Sequence, residues 1–291
     1  MLNVCYSPKY FAHTHTNSME KLKAIADQLS LGDFVKFHEP DDLDCNLLYE
    51  IHSEKYVNAV LTGEPTKLAT IAGFKPWCEQ LKNAVLSINA GQIRTAELAF
   101  EHGVSANIAQ GFHHATYDFG GSFCTFNGLA LIAKAFPSKR VFILDCDQHM
   151  GDGTVELASR IDNLFNFSIY GFPLGVTANE RSASHLIHKT SGNFAQYTMA
   201  IYEAFQRAID WQADIIVYQA GMDCHQHDPF GSKWLTTELI EKREELVFSL
   251  AKRHNIPIMF VMAGGYQPLP ELVSLHLKTF EIAHRVFYSA G

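Results

Sequence analysis

Short apolar runs bounded by turn residues alternate along the chain with longer segments whose apolar positions recur at helical spacing. The short runs predict strands over Leu2–Tyr6, Phe34–Phe37, Ser105–Ala109, Val141–Asp145, Leu164–Ile169, Ile215–Gln219 and Ile258–Met262. The longer ones predict helices over Ser18–Leu29, Ser53–Leu61, Trp77–His102, Phe194–Trp211, Thr236–His254 and Pro270–Phe287. This alternation is the pattern of an α/β protein with a central, mostly parallel sheet flanked by helices on both faces. No internal repeat or low-complexity linker interrupts it. Gly63–Pro76 is expected to be a loop within one domain spanning 1–291.

In such a sheet, ligands gather beyond the carboxyl ends of the strands. Polar clusters fall at those ends: Gln110–Ala115, Asp145–Gly153, Gly221–Gly231 and Ala263–Tyr266. Asp145, Asp147 and His149 alternate where the run Val141–Leu144 gives out, so an extended backbone would turn all three to one face. A string of this kind at a strand end also serves turns and caps. Asp223, after another apolar strand, shifts the balance by completing with Asp147 and His149 a set of two oxygens and one nitrogen. That set suits Zn²⁺ with an open position, and Fe²⁺ or Mn²⁺ fit the same cage.

His113 and His114 are adjacent on the loop after the third predicted strand. Asp145 and Asp152 are free to accept an imidazole N–H and so fix each ring's tautomer. Tyr266, behind the flexible Gly264–Gly265, is placed to donate its phenolic hydrogen to an oxyanion.

Composition narrows the class. The formal net charge of -8 argues against a basic face for nucleic acid. Cys5, Cys45, Cys78, Cys124, Cys146 and Cys224 form no C-x-x-C pair and read as reduced thiols, pointing to the cytoplasm. The first residues lack a leader pattern, and no apolar run approaches the roughly eighteen residues of a membrane span.

Gly-Phe-His-His at 111–114, Ser-Phe-Cys at 122–124, Asp-x-Asp-x-His-x-Gly-Asp-Gly at 145–153, Ala-Gly-Met-Asp at 220–223 and Gly-Gly-Tyr at 264–266 together resemble the histone deacetylase family. The resemblance runs from about Tyr6 to Phe287, and 242–248 with 264–267 look most like the class IV branch and its bacterial relatives. It implies the arginase/deacetylase fold and zinc-dependent hydrolysis of N-acyl amides. Asp147, His149 and Asp223 would hold one Zn²⁺ per chain. His113 and His114 would be the acid/base pair, with Asp145 and Asp152 as their partners and Tyr266 polarising the carbonyl. It further implies a structural K⁺ at Asp145, Asp147, His149, Ser168 and Ile169. Phe123, next to Ser122, matches a wall of the acyl-lysine tunnel; Phe172 and Phe230 lie in loops able to supply the opposite wall, and Gly264 and Gly265 adjoin it. The expected substrate is acyl-lysine in proteins, or alternatively an acetylpolyamine or another small N-acyl amine.

Departures from the pattern bear on substrate choice. Ser122 stands where Gly is usual, Met150 follows His149, and Ala263 precedes Gly-Gly-Tyr. Gly63–Pro76 offers no acidic residue that matches the peptide-gripping one, and His13 and His15 replace the basic stretch of the product channel. Two rival readings remain. An arginase-like ureohydrolase with two Mn²⁺ would need an aspartate where Gly151 stands, and His225 is the one hint of a second ion's partner. An idle acyl-lysine reader would be expected to lack a catalytic side chain, and none is missing.

Overall fold

The computed structural model describes residues 1–16 and 19–289. In chain order the elements are β1 (Leu2–Cys5), α1 (Glu20–Leu29), β2 (Val35–His38), α2 (Asn46–Tyr49), α3 (Glu54–Thr62), α4 (Thr66–Ala69), α5 (Glu79–His102) and β3 (Val104–Asn107). There follow α6 (Gly128–Ala135), β4 (Val141–Asp145), α7 (Asp152–Ala158), β5 (Leu164–Tyr170), β6 (Ser182–Leu186) and α8 (Phe194–Asp210). The chain closes with β7 (Ile215–Ala220), α9 (Thr237–His254), β8 (Ile258–Met262) and α10 (Leu269–Tyr288).

The strands form one sheet in the order β2-β1-β3-β8-β7-β4-β5-β6, and every pairing is parallel. The inner strands are buried on both faces, as their unbroken apolar runs require. On one side α1, α10, α9 and α8 pack in succession; on the other α5 lies against β1, β3, β7 and β8 beside α6 and α7. Capping residues set several boundaries. Cys78, Asn193 and Thr236 accept N–H bonds from the first turns of α5, α8 and α9, and Gly63 closes α3 at φ 83°.

The predicted helix Ser18–Leu29 begins at Glu20, and Ser18 lies outside the described residues. Gly63–Pro76 is not simply a loop, since α4 lies within it. The edge strand β6 and the short helices α2, α6 and α7 were not predicted. The sequence Ser182-Ala183-Ser184-His185-Leu186 lacks an apolar run, and α6 is buried along nearly its whole length, which removes the polar face that marks a helix.

Candidate active site

The clusters expected at strand ends follow β3, β8, β7 and β4, four neighbours at the centre of the sheet. Their loops therefore meet at one edge. β4 ends at Asp145, and the chain then leaves the extended line. Asp145 Oδ1 accepts the Asp147 N–H at 3.1 Å and Asp147 Oδ1 accepts the His149 N–H at 3.0 Å. These two side-chain turns correct the expectation of an extended run with three side chains on one face. Asp145 points instead to His113, while Asp147 and His149 turn towards Asp223.

The ligand atoms of Asp147, His149 and Asp223 all lie within 4.8 Å of one another. His149 Nδ1 stands 2.9 Å from Asp223 Oδ2 and 3.3 Å from Asp147 Oδ1. The remaining oxygens are anchored by the backbone, Asp223 Oδ1 on the Gln148 N–H at 2.9 Å and Asp147 Oδ2 on the Gly264 N–H at 2.8 Å. Gly264 has to be glycine, because a Cβ there would lie 2.4 Å from Asp223 Cγ. Burial and the neighbouring Asp147 push the Asp223 carboxyl up to about 7. Burial opposes charge on His149, but Asp147 and Asp223 outweigh it and raise the imidazole to about 10. Two buried carboxylates and one imidazole nitrogen converging in this way have an unmet demand for positive charge, which a divalent cation of the Zn²⁺ type fits.

His113 Nδ1–H donates to Asp145 Oδ2 at 2.7 Å and His114 Nδ1–H to Asp152 Oδ1 at 2.6 Å, so the expected His–Asp pairs form. The two rings lie 3.9 Å apart between centroids. A cavity of about 700 Å³ opens beside them, lined among others by His113, His114, Phe123, Asp147, Tyr266 and Leu272. Ser122, Gly264 and Gly265 belong to the same lining. Ser122 and Phe123 hold left-handed backbone at φ 48° and 62°, fixed by the Phe123 N–H bond to Ala72 O and by Phe74 against the Phe123 ring. Burial and the site's carboxylates raise the Tyr266 hydroxyl, which stays protonated.

Phe172 and Phe230 lie outside that lining. They pack against the His149 ring, with centroids 5.5 Å and 5.2 Å away, and Phe230 also meets Tyr266. His13 and His15 are exposed and lie outside the cavity lining, whereas the buried Lys21 of α1 lines it and donates from Nζ to Ala263 O at 2.8 Å. At Gly151 an added Cβ would come within 2.5 Å of Asp145 Oδ2, so an aspartate for a second bridging metal has no room there. Ser168 is the register partner of Asp145 across β4 and β5.

Sequence reasoning missed the residues that hold these loops. Asp228 accepts the Phe230 and Tyr266 N–H groups at 2.9 and 2.7 Å. Gln148 Nε2 donates to Phe230 O at 2.8 Å. Arg243, fully buried on α9, donates to Gly221 O and Cys224 Sγ on either side of Asp223 and pairs with Glu244. The turn sequence Asp228-Pro229-Phe230-Gly231 is a signal for the first, whereas nothing in a charged helical stretch marks Arg243 as buried.

The histone deacetylase domain matches residues 15–280 of the chain. The chain belongs to the histone deacetylase family. It is a hydrolytic enzyme of the deacetylase and amidohydrolase kind, and zinc dependence is the norm in that family. An uncharacterized protein of Picosynechococcus is 29% identical over 98% of this chain and 99% of its own length. Histone deacetylase 2 of Arabidopsis thaliana is 32% identical, covering 75% of this chain and 60% of its own length. Acetylpolyamine amidohydrolase 1 of Pseudomonas aeruginosa is 30% identical over 53% and 48%. The crystal structure of an acetylpolyamine aminohydrolase from Burkholderia pseudomallei superposes with a TM-score of 0.80 at 18% identity, covering 98% of this chain and 99% of that one, which shows the arginase/deacetylase fold.

Proposed function

We propose that residues 1–291 form one catalytic domain that hydrolyses N-acyl amides with one Zn²⁺ held by Asp147, His149 and Asp223, acting on acyl-lysine in proteins. The observation that carries this reading is the convergence of those three side chains, with Asp147 of the set lining a cavity shared with two carboxylate-paired histidines and Tyr266. When bound, the ion supplies Lewis acidity to a water and to the substrate carbonyl. His114, which burial and the neighbouring His113 keep on the neutral side, takes a proton from the attacking water. One imidazole of the pair returns a proton to the leaving amine nitrogen. Tyr266 Oη–H donates to the carbonyl oxygen as negative charge builds on it. Ser122 and Phe123, with Gly264 and Gly265, border the acyl chain, and Phe172 and Phe230 border the entrance beside His149.

A small N-acyl amine such as an acetylpolyamine is the second reading, favoured by relatives that carry that name. The proposal also includes a K⁺ at Asp145, Asp147, His149, Ser168 and Ile169, supported by the Asp145–Ser168 pairing, and a cytoplasmic location, supported by six free cysteines. Among the described residues no helix is long and apolar enough to cross a membrane. Neither membrane insertion nor direct nucleic acid binding is part of the reading. The test is release of free acid from acyl-lysine peptides of increasing chain length and from acetylpolyamines, compared by kcat/KM at one pH. Asp223→Ala should lose both zinc and turnover. Full zinc occupancy in that variant would remove Asp223 from the ligand set, and no acid release from any substrate would end the hydrolase assignment.

A further inference from the structure

His225 follows Asp223 by two positions, yet it turns away from the site just described. Its ring is buried, with 1% of the side chain exposed. Its contacts are Thr237 at the start of α9, His227 in its own loop and Glu271 in the first turn of α10. The His227 backbone N–H can only donate, and it points at His225 Nδ1 from 3.3 Å. Nδ1 is therefore the lone-pair nitrogen, and the ring proton resides on Nε2, donated to Thr237 Oγ1 at 3.0 Å. This arrangement, one ring nitrogen pinned by a hydroxyl and the lone pair of the other held only by one long N–H contact, is close to how metal-ligating histidines are oriented. The 3.3 Å contact is longer than an ordinary N–H bond and cheap to give up.

Glu271 Oε1 lies 3.9 Å from His225 Nδ1 and 2.7 Å from His227 Nδ1. The three ligand atoms fall within 4.8 Å of one another. His227 Nε2 has a further neighbour in the Gln226 amide at 3.4 Å. His227 and Glu271 are exposed to 60% and 37%, so the cluster opens to solvent and keeps a vacant side.

We propose that His225, His227 and Glu271 form a second divalent-cation seat, separate from the catalytic one, for a borderline transition ion such as Zn²⁺. Two imidazoles and one carboxylate select Zn²⁺, Co²⁺ or Ni²⁺ over Mg²⁺ and Ca²⁺, which require oxygen cages. The ion would displace the His227–Glu271 hydrogen bond and fasten the segment after β7 to the start of α10. Those two segments flank Tyr266, whose backbone N–H is already held by Asp228 of the same segment. The seat does not depend on the catalytic assignment.

The test is equilibrium dialysis of the full-length holoprotein against Zn²⁺ with elemental analysis, repeated with His227→Ala, Glu271→Gln and Asp223→Ala. The wild type should bind two Zn²⁺ per chain, one of them exchanging readily. His227→Ala and Glu271→Gln should weaken that exchangeable ion at least tenfold and leave the other in place. Asp223→Ala should lose the slowly exchanging ion and keep the exchangeable one, together with a Zn²⁺-dependent rise in Tm that His227→Ala lacks. Saturation of the wild type at a single Zn²⁺, or a second ion held equally well by His227→Ala, overturns the proposal. Loss of both ions in Asp223→Ala also overturns it, because that is the behaviour of a bridged pair.

Discussion

His113 and His114 follow one another along the chain and their rings touch at a tilt of 49°, yet their surroundings drive them apart. Burial opposes charge on both rings. At His113 the carboxylates Asp145 and Asp147 overcome it and raise the imidazole to about 9; at His114 the charge on His113 adds to burial and holds it below the usual range. A charged ring beside a neutral one equips the pair to deliver one proton and accept another. Tyr266 completes the polar face of the cavity. Tyr266→Phe should lower kcat by roughly a hundredfold or more with zinc content unchanged, the about 3–4 kcal/mol expected of one lost oxyanion donor. Turnover near wild type would show that the hydroxyl takes no part. These residues were legible in the sequence because each lies in a short motif at a strand end. Gln148 and Arg243 were not, because they bond atoms distant in sequence, and at Asp228 only the local turn was readable, not its bond to the Tyr266 N–H.

At the scale of elements, the site is a junction of loops, and Asp228 ties the one after β7 to the one after β8. It satisfies two backbone donors with two oxygens. An asparagine has a single acceptor oxygen, so Asp228→Asn leaves one part-buried N–H without its partner, at about 1 kcal/mol. We expect about a tenfold fall in kcat with KM and zinc content little changed, and restored turnover in no variant that lacks both acceptors. Equal kcat in Asp228→Asn would show that the Tyr266 backbone needs no such anchor. The long amphipathic helices and the buried strands were readable because each carries a clear period. The edge strand β6 is too polar, α6 too apolar and α7 too short and too entangled with the Gly-Asp-Gly motif at 151–153 to register as regular structure.

At the scale of the whole molecule, the buried His52 gives stability a pH dependence. His52 Nδ1–H donates to Thr116 O at 2.7 Å and Nε2 accepts the N–H of Asn127, the residue that caps α6. Protonation would put a hydrogen on an occupied acceptor in a dry site, and burial lowers His52 from 6.5 to about 4. The unfolded chain binds the proton first, so the contribution of His52 is fully present above 6.5 and is lost as pH falls through about 4. The shift corresponds to about 3 kcal/mol. Urea unfolding of the wild type between pH 7 and pH 4 should therefore lose about that much more stability than His52→Gln over the same range. Parallel curves would place the acid sensitivity elsewhere.

The strand order has a consequence for how the chain is made. β1, β2 and β3 form one triplet, and β4, β5 and β6 another, while the two strands that join them, β7 and β8, are made after both. Until they are inserted, the sheet is two half-sheets with an open seam, each offering an apolar edge. Asp147 and His149 are made long before Asp223, on the loop after β7, can meet them. An ion held by all three could therefore be captured only after the loop that follows β7 has been made and has met the loop after β4.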